Sequence, residues 1–400
     1  MERVAIVGAG IGGLTAALTL SPLADEVVVL EKRTGFGETG AGIQLSPNAS
    51  RVLIGLGLEG ALRRIATEPD RIAIRDLGSG RSIGSIGLGP AVRERFGAPY
   101  LYVARADLHT ALLDLVRSRP NARLRVGRSA VSVRSDDGAA SLAFEAGGGA
   151  TELLGADLVV GADGIWSRLR DALEPGSAPP VPSGFTAYRA LIPAADLPAG
   201  FGDGDGGLWL GPARHVAHYP VSSGRFVNVV AVERVAVERR AGDVPDWSVP
   251  ADPAAIRATF ADASQDLRAL IEAGRDWSAW SLFDSPARQL GRGRVALVGD
   301  AGHASLPFLA QGGALAIEDA AVLAAEIGRP GADVPSALRR YAKRRLPRVR
   351  RVQRGARRNA SVYHASGLVA AARNFVIRRL GPAGMTERYA WLYGWTPEGS

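Results

Sequence analysis

Three short segments carry residues whose types and spacing suit the binding of a dinucleotide. The first is Gly8-x-Gly10-x-x-Gly13. It follows the apolar run Val4 to Val7 and opens a segment in which Ile11, Leu14, Ala17 and Leu18 recur at helical spacing. In such a turn Gly8 permits the tight bend, Gly10 lets a pyrophosphate approach the backbone, and Gly13 lets the helix pack on the strand. The helix start at Ile11 offers free N–H groups and the positive end of a dipole. Glu31 ends the next valine-rich run, 18 residues after Gly13, with Lys32 behind it. A carboxylate there accepts hydrogen bonds from a ribose diol. This motif alone does not separate NAD from FAD. The second and third segments are Ala156 to Gly164 and Arg294 to His303, each a buried strand that delivers an aspartate, Asp163 or Asp300, at its carboxyl end. Either aspartate has a second reading as a helix cap. For Asp300 that reading is the weaker, because Gln311-Gly312-Gly313 opens a helix a few residues on.

The elements that must position these residues follow from the apolar pattern. Strands at Val4 to Val7, Glu26 to Leu30, Ala156 to Val160 and Val295 to Val298 are separated by helical stretches, which implies a parallel sheet. Arg105 to Arg117 is predicted helical, with Leu108, Leu112, Leu113 and Val116 on one face. Arg71 to Tyr102 reads as short strands with glycine turns, and Leu124 to Phe144 as strands joined at Asp136-Asp137-Gly138. Pro175 to Pro182 is a proline-rich joint. Beyond it, Gly184 to Val232 alternates as an antiparallel sheet does. Asp252 to Ala273 is patterned as helix, as is Gly312 to Ile327, and helical character continues to about Leu380.

Composition narrows the class. The 400 residues are 46% hydrophobic, enough for a sizeable core and for two domains or one with an insert. There is no cysteine, which excludes disulfides, iron–sulfur clusters, thiolate zinc sites and a cysteine nucleophile, and no metal site is expected. No apolar run reaches the roughly 18–20 residues that span a bilayer. Val4 to Leu20 lacks a cationic leader and a cleavage site, so a cytoplasmic protein is expected. The net charge of +8 is almost all arginine, Lys32 and Lys343 being the only lysines. Arg339 to Arg358 is a basic run poor in aromatic residues. It suits a solvated helix face better than a nucleic-acid site, and no nucleic-acid partner is expected.

The order of these motifs resembles the single-component FAD-dependent aromatic hydroxylases of the para-hydroxybenzoate and salicylate hydroxylase type. The resemblance spans nearly the whole chain. It runs through Gly8–Gly13, Glu31, the segment Gly40-Ala41-Gly42-Ile43-Gln44-Leu45-Ser46-Pro47-Asn48-Ala49, Arg105-x-Asp107-Leu108-His109 and Asp163-Gly164. It ends with Gly299-Asp300 through Gln311-Gly312-Gly313 to Glu318-Asp319-Ala320. Trp391-Leu392-Tyr393-Gly394-Trp395 is similar to the tail of the salicylate hydroxylase branch.

The resemblance implies an α/β fold: a Rossmann-type FAD-binding domain, an inserted, mostly antiparallel β-sheet substrate domain, and a helical C-terminal segment. The FAD-binding part is expected from 1–70, 103–174 and 285–360, the substrate sheet from 71–102 and 175–284, and the tail from 361–400. The implied reaction uses FAD, O2 and NADH or NADPH, and hydroxylates a small aromatic acid through an FAD C4a-hydroperoxide. The alternative on the same fold is an epoxidase or natural-product tailoring oxygenase acting on a neutral substrate. Residue by residue, the resemblance places Glu31 at the adenosine ribose, Arg105 at the pyrophosphate or ribityl chain, and Asp300 on ribityl hydroxyls. It places Asp163 on the pyrophosphate side, Gly312 and Gly313 before the flavin pyrimidine ring, and Gln44 among the cofactor contacts. The chain departs from the family in two places. Gly302-His303-Ala304-Ser305 stands where the family has His-Pro, and Gln44 where relatives acting on hydroxypyridines carry histidine.

A phenolic substrate needs a base. On Arg214-His215-Val216-Ala217-His218-Tyr219-Pro220, strand alternation puts His215 and Tyr219 on one face and His218 on the other. His215 is the expected general base or proton relay, with Tyr219 beside it, against the plain reading of a histidine satisfied by the sheet. Arg189 and Arg214 are candidates to pair with a substrate carboxylate, or are surface arginines. His303 is expected to shape the flavin loop, and His109 and His364 to be structural, on helices. The chain is expected to be a monomer or homodimer with a small aromatic substrate as partner.

Overall fold

The computed structural model describes residues 1–36, 42–136, 138–146, 149–235 and 249–398. Gly40 and Ala41 of the segment before Gln44, and Asp137 of the expected turn, lie outside them. A six-stranded sheet holds the first four strands anticipated from the apolar runs. Arg3–Val7 lies at its centre, between Glu26–Glu31 on one side and Leu158–Gly161 on the other, both parallel to it. Val295–Leu297 pairs with Leu158–Gly161, also parallel. All four strands are apolar and nearly continuous in burial, as strands covered on both faces must be. The register aligns Leu30 with Val7, Val7 with Gly161, and Gly161 with Leu297. Their carboxyl ends therefore open on one edge, and the residues that follow each strand meet there.

Helices Ile11–Leu20 and Gly312–Ile327 pack against one another over this edge. The Thr19 hydroxyl donates to the Ala320 carbonyl at 3.1 Å, and a Cβ at Gly12 would lie 3.1 Å from that of Ala316. Small residues on both helices allow the approach.

The eight-stranded sheet runs in the order Val249–Pro250, Ser278–Asp284, Val181–Pro193, Phe226–Arg234, Arg214–Val221, Gly206–Gly211, Arg71–Asp76 and Ser82–Gly87. It is antiparallel except where Gly206–Gly211 meets Arg71–Asp76. One face is covered by Pro253–Thr259 and Gln265–Ala273, two helices where the pattern suggested one stretch. The other face looks toward the aromatic residues Tyr100 and Tyr102 and the C-terminal helices. Gly89–Phe96 is helical within a stretch expected to hold only strands. Gly97 at φ +69° ends it, as a left-handed glycine commonly does.

The basic run differs from expectation. It lies on the 30-residue helix Val334–Tyr363, and part of it faces inward. Arg345 is fully buried. Arg340 and Arg344 reach Glu326, and Arg348 reaches Glu318. Arg339, Lys343, Arg350, Arg351, Arg354 and Arg358 are exposed. Carboxylates on Gly312–Ile327 supply the inward arginines with partners, which a reading by charge density alone cannot foresee. No helix among the described residues is long and apolar enough to cross a membrane.

Candidate active site

The dinucleotide turn has the shape its glycines require. Gly8 has φ +101°, and a Cβ on it would stand 2.3 Å from the Ala162 carbonyl oxygen. A Cβ on Gly13 would stand 1.9 Å from the Gly8 oxygen. Above Gly10 there is open space, at the head of helix Ile11–Leu20, whose Ile11 is buried. Glu31 closes the turn from the neighbouring strand. Its Oε2 accepts from Ala9 N and its Oε1 from Arg33 N, both at 2.9 Å. Lys32 is exposed beside it. His109, from helix Arg105–Arg117, lies 2.7 Å from the Ala9 carbonyl and so braces the turn.

These differences yield an expected result. Gly10→Ala should leave the fold intact and weaken FAD retention, because its methyl enters the open space. Gly13→Ala should lower both, because backbone must move to admit the methyl. Flavin absorbance after gel filtration, beside a thermal melt, separates the two. Equal loss of stability in both variants would contradict this assignment of space.

Asp163 and Asp300 follow their strands to the same edge but sit differently. The Asp163 Oδ2 accepts from Arg168 N at 2.9 Å, capping the helix Arg168–Leu173, so the second reading of this residue describes one of its oxygens. Its Oδ1 is buried without a partner, and burial pushes the carboxyl up from its ordinary range. Asp300 begins a one-turn helix and has an Oδ1 4.0 Å from the Cβ position of Gly312. Burial raises its pKa, while His303 and Arg105 draw it down. Arg105 is exposed at the head of its helix, and its charge also reaches Arg189. Gly313 packs against Ile43, whose Cδ1 leaves no room for a side chain. The open N-terminus at Gly312, the space over Gly10, the unpartnered Asp163 oxygen and the two strand-end carboxylates suit a phosphate-bridged dinucleotide with a polar linker.

The loop between Asp300 and Gly312 is locked from behind. His303 Nε2 is 2.5 Å from Asp319 Oδ2, which also accepts from Gly299 N at 2.8 Å. This bond restrains the loop where the family's proline is missing. Asp319 Oδ1 and Glu318 Oε2 each accept from Arg345 at 2.7 Å. Arg348 and Asn48 complete the shell of Glu318, and Gln311 bonds Asn48 and Ser46. Desolvation opposes the Asp319 charge, but His303 and Arg345 outweigh it and hold the carboxyl at about 2.

A cavity of about 100 Å³ lies between the eight-stranded sheet and the C-terminal helices. Gln44, Tyr100, Tyr102, Leu208, His215, Ala217, Phe308, Tyr363 and Tyr393 are among its walls. Gln44 thus faces this cavity, accepting from the Tyr100 hydroxyl at 2.5 Å. Strand alternation holds along Arg214–Val221. His215, Ala217 and Tyr219 share the cavity side, Tyr219 stacking on Tyr102 at 4.8 Å. The His218 ring packs with Phe201 and Trp209 on the other side, although His218 also lines the cavity. Burial pushes the Tyr219 phenol up, so it is a hydrogen-bond donor rather than a base. His215 is enclosed, and burial together with His364 lowers its pKa well below the usual value.

Arg189 pairs in register with Val230, which pairs with Ala217, so the three side chains project from one face. Its guanidinium carbon lies 3.2 Å from the Trp280 ring centroid, and its Nε is buried without a hydrogen bond. No carboxylate of the described residues pairs with it. Burial lowers its pKa to about 9. Arg214 goes elsewhere: it bonds the Thr259 carbonyl and, at 2.7 Å, Asp262, away from the cavity. Sequence reasoning missed the roles of Asn48, Tyr100 and Tyr102. It also set His364 aside as structural on a helix, whereas His364 caps the long helix and bonds His215.

The comparisons agree with this geometry. A family model described as an FAD binding domain matches residues 1–356. The 3-amino-4-hydroxybenzoate 2-monooxygenase of Streptomyces platensis is 39% identical over 100% of this chain and 98% of its own. The 3-hydroxybenzoate 6-hydroxylase 1 of Aquipseudomonas alcaligenes is 35% identical over 98% of each. Among solved structures, Klebsiella pneumoniae HpxO complexed with FAD and uric acid superposes with a TM-score of 0.81. It is 27% identical, over 100% of this chain and 97% of that one. The chain belongs to the single-component FAD-dependent aromatic hydroxylases. It is an FAD-dependent monooxygenase that takes electrons from NADH or NADPH and oxygen from O2.

Proposed function

We propose that this enzyme hydroxylates a single-ring phenolic acid, held by its carboxylate at Arg189 and deprotonated at His215. The carrying observation is Arg189: a half-buried arginine on the cavity face of the sheet, its Nε enclosed without a hydrogen bond and no carboxylate of the described residues paired with it. A partly desolvated charge of this kind is stabilised by a counter-ion, and a substrate carboxylate supplies one. A cavity of about 100 Å³ argues against a polycyclic substrate. The relatives named above act, by their names, on hydroxybenzoates, which supports the same class.

The proposed division of labour follows the two sheets. Residues 1–70, 103–174 and 285–360 hold FAD, with Gly8, Gly10, Ile11, Gly13, Glu31 and Lys32 at the adenosine side. Arg105, Asp163 and Asp300 sit at the linker, and Gly312 and Gly313 before the flavin ring. Residues 71–102 and 175–284 close over the substrate, and 361–400 form the outer wall. Bound FAD supplies reduction by the nicotinamide and activation of oxygen. The protein does the rest. Arg189 orients the ring, Tyr219 donates a hydrogen bond from beside Gln44, and His215 takes the phenolic proton. The helix starting at Gly312 stabilises negative charge at the flavin. The aromatic wall excludes water.

The test is NADH oxidation coupled to product formation with 3-hydroxybenzoate, 3-amino-4-hydroxybenzoate and their methyl esters. Acids should be hydroxylated and esters bound poorly. Arg189→Gln should raise KM for the acids by at least about 30-fold, the lower range for removing one partner of a buried charge pair, and barely change it for esters. Equal handling of acid and ester would remove Arg189 from substrate binding. A neutral substrate would then take its place.

A further inference from the structure

A second and larger space, a groove of about 440 Å³, opens beside Ser82–Gly87, the edge strand of the eight-stranded sheet. Strands Arg71–Asp76 and Ser82–Gly87 stand between it and the catalytic cavity. The paired residues Ile72 and Ile86 line the cavity, and the next pair, Ala73 and Ser85, lines the groove. The opposite wall is helix Gly367–Glu387, which contributes Ile377, Arg378 and Pro382 around a kink at Gly381, φ +63°. Ile377 seats the helix on the strand: a Cβ at Gly84 would stand 2.7 Å from its Cγ2. Past the kink the same stretch of chain supplies Tyr389, Leu392 and Tyr393 to the catalytic cavity.

The walls of this groove carry three arginines and no carboxylate. Arg71 commits its Nε to Asp205 at 2.7 Å, which leaves its terminal nitrogens without a bond to the described residues. Arg75 lies over the Trp209 ring, 5.4 Å from its centroid, with one long bond to the Gly80 carbonyl at 3.4 Å. Arg378 is exposed and makes no ion pair or hydrogen bond with the described residues. The same walls present apolar surface from Ala73, Ile377 and Pro382. A guanidinium takes a carboxylate through two parallel bonds and also stacks on aromatic faces. A bare inorganic anion would use the cations and leave the apolar walls wet. An aromatic ring bearing a carboxylate uses both.

We propose that this groove is a second binding site, for an aryl carboxylate, separate from the catalytic cavity. Arg378 on the helix and Arg71 on the strand take the carboxylate from the two walls, and the ring lies against Ile377 and Pro382. The groove has room for two fused rings, which the cavity of about 100 Å³ lacks. Size therefore separates the ligands of the two sites. An acid held here ties helix Gly367–Glu387 to strand Arg71–Asp76, and so braces a wall of the catalytic cavity from outside. Nothing in this assignment depends on Arg189.

The test is equilibrium dialysis of 2-naphthoate against the FAD-loaded enzyme. One molecule should bind per chain. Arg378→Glu should weaken it at least about tenfold, the lower range for a hydrogen bond to a charged group, and leave flavin absorbance and thermal stability as in the wild type. Arg189→Gln should bind 2-naphthoate as the wild type does. 2-Naphthol should bind poorly, and inorganic phosphate at matched ionic strength should not displace the acid. No binding by the wild type, or binding unaltered in Arg378→Glu, would overturn the site. Loss in Arg189→Gln alone would place the acid in the catalytic cavity, which ends this proposal and supports the role given to Arg189. Displacement by phosphate, or equal binding of 2-naphthol, would show that the groove does not recognise an aryl carboxylate.

Discussion

Replacing Arg345 by methionine is expected to destabilise the protein by about 3–5 kcal/mol, the usual cost of stranding a buried charge. Arg345 is wholly enclosed and bonds Asp319 and Glu318 at 2.7 Å each and the Leu315 carbonyl at 3.3 Å. Without it two carboxylates keep only part of their shell: His303 and Gly299 for Asp319, Arg348 and Asn48 for Glu318. Lysine should not rescue, because one ammonium cannot serve both carboxylates with a planar fork. Urea unfolding of Arg345→Met, Asp319→Asn and the double variant measures the pair. A coupling free energy near zero would show that the two residues are neighbours without mutual dependence. FAD retention should fall with stability, since Asp319 also holds the turn that delivers Asp300.

Acidification should destabilise the fold well before its carboxylates titrate. His218 is half-buried beside Trp209 and Phe201, and desolvation with the nearby Arg75 lowers its pKa to about 4. His215 is lowered in the same direction. An unfolded histidine titrates near ~6.5, so between there and the folded value the unfolded chain binds more protons. Stability is full above about 6.5 and falls as pH drops, by up to ~1.4 kcal/mol per pH unit for each residue. His218 alone accounts for ~3 kcal/mol by pH 4. Asp163 and Asp300 carry raised values and act with the opposite sign, but nearer the ordinary carboxylate range. Asp319, held at about 2, loses its contribution only in stronger acid. Unfolding free energies from pH 7 to 5 check this. His218→Leu should flatten the fall by one proton, and an unchanged slope would place the sensitivity elsewhere.

Much of the parallel half was legible in the sequence because local chemistry dictated it. Gly8, Gly10 and Gly13 announce a turn by their spacing, and the valine-rich strands announce the layer beneath it. The arrival of Glu31, Asp163 and Asp300 at one edge follows once those strands are parallel. The cavity was less legible, because its walls meet through long-range pairing. His215 and His364 are 149 residues apart, and nothing in either local pattern points to the other. Arg345 was legible in part. Leu338, Tyr341, Arg345, Val349, Val352 and Ala356 follow the helical period of a buried stripe. Only the residue type argued for solvent, and that argument fails when carboxylates on the facing helix are equally buried.

The order of strands in the parallel sheet has a consequence for how the chain reaches this structure. Arg3–Val7 is made first but finds one neighbour only at Leu158–Gly161, which in turn waits for Val295–Leu297. Such non-local closure slows folding and leaves strand edges open while synthesis proceeds. The nucleotide groove therefore acquires its walls last, although its fingerprint lies in the first 13 residues. An early-ending chain would contain that fingerprint and still lack the enclosure that gives it affinity.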